Sequence, residues 1–191
     1  MSFEAHGPYP YTEEYYLENV GGAEFFRRYG ASVLKPVLVH ALKSARLEKG
    51  MSVLDAGCGR GELLHHLRAL GAFAVGGDFA VAALALAAKT SKAPVLRCDA
   101  RHLPFKDASF DRIFFLGVID HLSDADLDHC FAEFRRTLKP GGFVLINTCV
   151  NTDYHKRRSY GLRKRLAGML GLPPPRPMRS MRRRSSTTTS P

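Results

Sequence analysis

A chain of 191 residues, 45% hydrophobic and 24% charged, has the length and composition of one soluble globular domain with a real core and little room for a second. The formal charge of +10 is not spread along it: seventeen Lys and Arg balance seventeen Asp and Glu over residues 1–150, while residues 151–191 hold eleven against one. A basic nucleic-acid-binding body is therefore disfavoured, and so is a membrane-spanning helix, because the longest apolar run, 79–88, is too short to cross a bilayer.

The first thirty residues, MSFEAHGPYPYTEEYYLENVGGAEFFRRYG, are aromatic and acidic. They lack the basic start and apolar middle of a secretory signal, so a cytoplasmic location is expected. Together with the following stretch they read as an N-terminal helical lid or cap over 1–48, helical from about 24 to 45. Short β-rich runs at 52–56, 73–77, 95–98, 112–116 and 143–148 then alternate with helical stretches at 62–70, 81–90 and 125–138. That alternation predicts an α/β fold: a Rossmann-like open, mainly parallel sheet with helices on both faces, its core spanning 49–150. Residues 151–171 read as a basic helical segment. The remainder, 172–191, with PPPRP, MRSMRRR and SSTTTSP, has no apolar periodicity and reads as a disordered basic, Ser/Thr-rich tail. Cys58, Cys98, Cys130 and Cys149 show no metal-ligand or disulfide spacing, so buried reduced thiols and no metal site are expected.

The stretch VLDAGCGRG places Gly57, Gly59 and Gly61 directly after the first strand and before a helix. A chain that turns there without Cβ atoms leaves its backbone open to close approach. The dinucleotide fingerprint is G-x-G-x-x-G, which sets a pyrophosphate on a helix N-terminus; here the spacing is G-x-G-x-G with Asp55 two residues ahead. A carboxylate in that place repels a pyrophosphate and suits a ligand with an ammonium group.

The pattern D-x-G-x-G-x-G resembles the first motif of the class I S-adenosylmethionine-dependent methyltransferases. The resemblance continues at successive strand ends, from about residue 50 to 148. It implies S-adenosylmethionine as cofactor, held by Asp55 and the loop Gly57, Cys58, Gly59 and Gly61. It further implies that Asp78, ending the second strand, accepts the ribose hydroxyls, with Phe79 flanking the adenine. Asp99 and Ala100, in RCDARHLPF, resemble the segment that holds the adenine, Asp99 accepting from the exocyclic amine. Phe110 and Asp111 in SFDRIFFLGVIDHL resemble the fourth-strand motif, Leu116 and Gly117 offering backbone to the methionine end, and LKPGG resembles the turn into the fifth strand. Within the family, YTEEYYLENVGGAEFF and CGRGELL are most similar to bacterial methyltransferases associated with surface-polysaccharide and glycosyltransferase genes. A small-molecule or glycan-type acceptor is the corresponding expectation.

Each residue also has a plainer role. Asp55 can accept backbone N–H groups of the turn, and Gly59 or Gly61 can serve helix–strand packing. Asp78 can be a solvated strand-end carboxylate, Phe79 core, Asp99 a loop cap, and Cys58 a small residue tolerated in the loop. LKPGG supplies turn geometry with no ligand required.

In the chemistry the resemblance implies, a methyl group passes in line from the sulfonium to a nucleophile, so alignment and exclusion of water do most of the work. His121, in VIDHLSD, falls just past the fourth strand, and an imidazole is a residue type suited to a general base; fixing the loop is its other reading, and Asp120 is the alternative polar group. The aromatics Tyr9, Tyr11, Tyr15, Tyr16, Phe25, Phe26 and Tyr29 precede the sheet, where the family places a lid. Tyr11 and Tyr15 are one helical turn apart, and Tyr15 or Tyr16 is the expected ligand contact.

No N-P-P-Y or D-P-P-Y follows the fourth strand, which disfavours methylation of the exocyclic amines of nucleobases or of glutamine, and the basic tail offers only nonspecific contacts to phosphate or anionic lipid. The family's sheet usually continues past the fifth strand with a helix and two further strands, and this chain shows no comparable stretch. An exposed fifth strand would invite pairing with a second copy. A truncated cofactor-binding module with little or no transferase activity is accordingly the alternative function. A nicotinamide-dependent oxidoreductase ranks below both, since its phosphate-loop spacing is absent.

Overall fold

The computed structural model describes residues 11–147 and Ala167. Five strands form one sheet: β1 (Ser52–Ala56), β2 (Phe73–Asp78), β3 (Val95–Arg97), β4 (Phe110–Leu116) and β5 (Leu138–Asn147). All pairings are parallel and the spatial order is β3-β2-β1-β4-β5. Helices α3 (Glu62–Ala69), α4 (Val81–Ser91) and α5 (Asp124–Thr137) follow β1, β2 and β4. The expected open Rossmann-like sheet is therefore present. Its order reverses at β1, whose neighbours are β2 on one side and β4 on the other, so the crevice for a ligand opens at the carboxyl end of β1.

The central strands carry unbroken apolar runs because both their faces are covered. Val53 and Phe114 point into a core shared with Leu63, Leu64 and Leu67 of α3 and Ala87 of α4. The next residue along β4, Phe115, faces the opposite layer and stacks edge-on against Phe134 of α5 at 4.9 Å. Each of these phenylalanines is fully buried, and truncating one to alanine would cost roughly 3–5 kcal/mol. Helix α5 starts sharply because Ser123 and Asp126 form a reciprocal capping box, worth about 1 kcal/mol.

Three boundaries differ from the sequence reading. The helical region expected from about 24 to 45 is split into α1 (Ala23–Tyr29) and α2 (Pro36–Ser44). Gly30 leaves helical geometry at φ 61°, and Lys35 is extended ahead of Pro36, as a residue before proline prefers. A single π-helical turn, Tyr15–Asn19, precedes α1. Strand β5 begins at Leu138 rather than after the Pro-Gly turn: Leu138 already pairs with Phe110, and the register shifts before Arg112 meets Phe143. LKPGG is thus an irregular stretch inside an edge strand of the described sheet, where a residue without an N–H is tolerated. Asp111, in the fourth-strand motif, accepts from the Ser52 backbone N–H and from Lys139 Nζ, each at 2.8 Å; it ties β1, β4 and β5 together at the amino end of the sheet, away from the ligand crevice.

Among the described residues no helix is long and apolar enough to cross a membrane, and no cluster of three or more His, Cys, Asp or Glu could hold a metal ion. The basic segment and tail expected at 151–171 and 172–191, and Cys149 with them, lie outside the described residues, Ala167 excepted.

Candidate cofactor-binding site

The chain leaves β1 through Asp55 and Ala56 and folds back at once. Gly57 and Cys58 donate their backbone N–H groups to the Gly77 carbonyl at 2.7 and 3.0 Å, which pins the loop to the neighbouring strand. Gly57 has φ 80°, and a Cβ there would lie 2.3 Å from Val118 Cγ2; Gly61 has φ 81°, and a Cβ there would meet the Ala87 Cα at 2.8 Å. Both positions require glycine for conformation and for space. The neighbour that excludes a side chain at Gly61 is helix α4, so the close packing there is helix against helix and not the helix–strand packing expected as its plainer role.

Two carboxylates stand behind the loop. Asp78, 6% exposed, accepts from Gly59 N–H and Ala80 N–H, each at 3.0 Å, so the ends of β1 and β2 are fastened through one side chain. Burial raises its pKa despite hydrogen bonds from the Ala80, Gly59 and Phe79 backbone. Asp55 is 4% exposed, and no hydrogen bond from the described residues reaches its carboxyl group. Burial first, then the charges of Asp78 and Glu62, push its pKa up to about 8. The turn-capping role open to Asp55 is not the one the structure displays. A buried carboxyl without a partner is costly, and a cation beside it would reverse both the cost and the shift.

Cys58 is buried, its thiol pushed well above the usual range by burial and then by Asp55. A Cβ on Gly76 would lie 2.9 Å from its sulfur and 2.5 Å from Leu64 Cδ1, so the bare backbone of β2 makes room for this residue and for α3.

Phe79 follows Asp78, and Tyr11 stacks edge-on against it with ring centroids 4.9 Å apart. Tyr11 also meets Tyr15 at 5.2 Å, and its hydroxyl lies 3.5 Å from His121 Nδ1. One N-terminal ring therefore joins the end of β2 to the turn after β4. His121 closes a 3-10 turn, Ile119–His121, its backbone N–H donating to the Val118 carbonyl. Gly117, φ 71°, donates its N–H to Asn147 Oδ1 at 2.7 Å, so the Leu116–Gly117 backbone is held by the end of β5.

Asp99 and Ala100 sit past β3, and here the loop-capping alternative is realised. Asp99 Oδ1 accepts from the Arg101 backbone N–H at 2.9 Å, and the Arg101 guanidinium grips the same carboxylate while reaching Asp126 Oδ1 at 2.8 Å. Burial alone would raise the Asp99 pKa; the hydrogen bonds from Arg101 outweigh it and hold the carboxyl below its ordinary value. The sequence does not announce Asp126 or Asn147, whose partners Arg101 and Gly117 lie 25 and 30 positions away, nor the bridge that Arg101 makes from Asp99 to Asp126. Nor does it announce the burial of Arg60, a cation inside the glycine loop that is 2% exposed.

Residues 54–146 match the family described as "Methyltransferase domain". The cyclopropane-fatty-acyl-phospholipid synthase of Escherichia coli K12 is 33% identical over 110 residues, covering 54% of this chain and 27% of that protein. The PH0226 protein of Pyrococcus horikoshii OT3 superposes with a TM-score of 0.56 at 28% identity, covering 70% of this chain and 61% of that one. Phosphoethanolamine N-methyltransferase 2 of Haemonchus contortus, solved with S-adenosyl-L-methionine, gives a TM-score of 0.57 at 25% identity, covering 80% of this chain and 40% of that one. The match to the first of these thus spans about a quarter of the curated relative's length.

Proposed function

We propose that the chain carries a class I S-adenosylmethionine-dependent methyltransferase domain, binds S-adenosylmethionine across the carboxyl ends of β1, β2 and β3 and transfers its methyl group to a small-molecule or glycan-type acceptor. The observation that carries this reading is Asp55: a buried carboxyl beside a side-chain-free loop, with no hydrogen bond from the described residues. An ammonium group is the partner its charge and burial favour.

When bound, S-adenosylmethionine supplies a sulfonium-activated methyl group that is displaced in line. The residues of this chain bind and orient. Asp55 faces the amino-acid end. Asp78 keeps acceptor capacity beyond the Gly59, Ala80 and Phe79 N–H groups and takes the ribose hydroxyls. Phe79, with Tyr11 against it, walls the adenine, and Asp99, kept ionised by Arg101, accepts from the exocyclic amine. Gly57, Cys58, Gly59 and Gly61 give the backbone room, while Ala100, Leu116 and Gly117 line the two ends. Tyr15 covers the crevice, and His121, beside the Tyr11 hydroxyl, is placed to take a proton from an acceptor.

The test is transfer of radiolabelled methyl from S-adenosylmethionine to a panel of phenols, amines, carboxylic acids and sugars, with release of S-adenosylhomocysteine measured in parallel. Labelled product with the wild type, abolished in Asp78→Ala, supports a transferase. Saturable binding with no turnover on any acceptor class would reduce the protein to a cofactor-binding module.

A further inference from the structure

Arg60 stands between Gly59 and Gly61, where a cation would ordinarily reach into solvent, yet it is buried. Its Nη1 donates to the Tyr16 carbonyl at 2.8 Å; its Nε and Nη2 donate to the two Glu62 carboxylate oxygens at 3.2 and 2.9 Å. Its guanidinium carbon lies 4.9 Å from the Phe26 ring centroid. One planar group therefore joins the π-helical turn Tyr15–Asn19, α1, the glycine loop and the first residue of α3. A second tie runs in parallel, His66 Nε2 meeting the Ala31 carbonyl at 2.7 Å.

A buried ion pair is a poor source of net stability, because desolvating both charges offsets their attraction, so an apolar side chain would serve packing at least as well. What the guanidinium adds is direction: its fork fixes three partners in one plane. The turn it holds carries Tyr15 and Tyr16, and the Tyr16 ring is the group nearest to a Cβ built on Gly59, at 3.9 Å.

We propose that Arg60 is a positioning residue that couples the tyrosine-bearing N-terminal segment to the glycine loop, so that filling the loop and ordering the segment over it are one event. The ligand half of this proposal rests on the S-adenosylmethionine reading; the coupling in the free protein does not.

Hydrogen exchange with mass spectrometry on the wild type, Arg60→Lys and the double variant Arg60→Met/Glu62→Gln tests it, with and without saturating S-adenosylhomocysteine. The double variant leaves no unpaired buried charge, so it remains informative if a single substitution fails to fold. Without ligand, amides of residues 12–20 should exchange about tenfold faster in both variants while β1 and β4 stay unchanged. With ligand, wild-type protection should rise together over 12–20 and 57–61; in the variants it should rise over 57–61 only, and affinity should fall about tenfold. Faster exchange throughout the sheet with an unaltered joint response to ligand would reduce Arg60 to a structural role and overturn the proposal. If the ligand protects nothing in the wild type, the cofactor reading falls, and unchanged free-protein exchange over 12–20 would still overturn the coupling.

Discussion

Replacing Asp55 by asparagine keeps the shape of the side chain and deletes the buried carboxyl group at the end of β1. In the wild type the folded-state pKa of about 8 stands far above the ordinary 3.8, so between those values the folded protein holds a proton that the unfolded chain has lost. The sign follows from linkage: wherever the native state binds more protons, stability falls as pH rises. At about 1.4 kcal/mol per pH step, the difference between pH 5 and pH 8 has a ceiling of roughly 4 kcal/mol, and a wild-type loss of about 2–4 kcal/mol relative to Asp55→Asn is expected. Asp99, Asp111, Asp126 and Glu133, whose pKa values are lowered, are fully ionised across this window, so they do not obscure it. Asp78, whose pKa burial also raises, acts on Asp55 through its charge, so its own titration changes in Asp55→Asn and the divergence reports the coupled pair. Urea unfolding of the two proteins at pH 5, 6, 7 and 8 reads the effect as a divergence of midpoints at constant m. An ammonium ligand must also expel this proton, so calorimetry of S-adenosylhomocysteine at pH 7 in buffers of different ionisation enthalpy should report close to one proton released by the wild type and none by Asp55→Asn. Parallel stability curves from pH 5 to 8 would refute the reasoning, since they would mean that Asp55 is either solvated or already paired.

Three further outcomes follow from the same geometry. Gly61→Ala combines φ 81° with a Cβ 2.8 Å from the Ala87 backbone and should cost about 2–4 kcal/mol, whereas Gly117→Ala, φ 71° with no atom within 4 Å, should cost only about 1 kcal/mol; thermal melts of the two variants separate strain from crowding. Cys58, Cys98 and Cys130 are buried, and burial pushes the Cys98 and Cys130 thiols up to about 12 and Cys58 higher still, so in a Cys149→Ser background all three should resist a thiol reagent at pH 8 until urea unfolds the chain. Ser123→Ala removes the α5 cap and frees the Asp126 side chain that Arg101 also grips; a loss of about 1 kcal/mol is expected, measured by urea midpoint, with the exchange of Asp99–Arg101 amides accelerated alongside.

What was legible in the sequence is what is local or periodic. Val53 and Leu54 announce a strand covered on both faces, and three glycines in five residues announce a turn that tolerates no Cβ. The acids at 55 and 78 mark strand ends, which in a parallel sheet with this order fall on one rim. What was not legible depends on partners distant in the chain. Pro140 and Gly141 look like a turn because they interrupt helix and strand alike, yet β5 absorbs them as an irregularity because its partner β4 already pairs at Leu138. Asp99 reads as an adenine acceptor or a loop cap, and nothing in the sequence announces that Arg101 bridges it to Asp126, 25 positions beyond that arginine. Nothing local marks Arg60, because the Tyr16 carbonyl to which it donates lies 44 positions earlier. Tertiary override of this kind is concentrated around the crevice, where elements from the whole chain converge.

The proposed site joins a buried carboxyl group that no described residue hydrogen-bonds, a glycine loop and a second strand-end carboxylate around a sulfonium nucleoside. Isothermal titration of the wild-type chain with S-adenosylhomocysteine addresses it without requiring any acceptor. The account predicts one saturable site per chain, with binding weakened in Asp55→Asn and in Asp78→Asn. Folded wild-type protein that takes up no S-adenosylhomocysteine, with neither heat nor a shift in thermal midpoint at millimolar ligand, would contradict it.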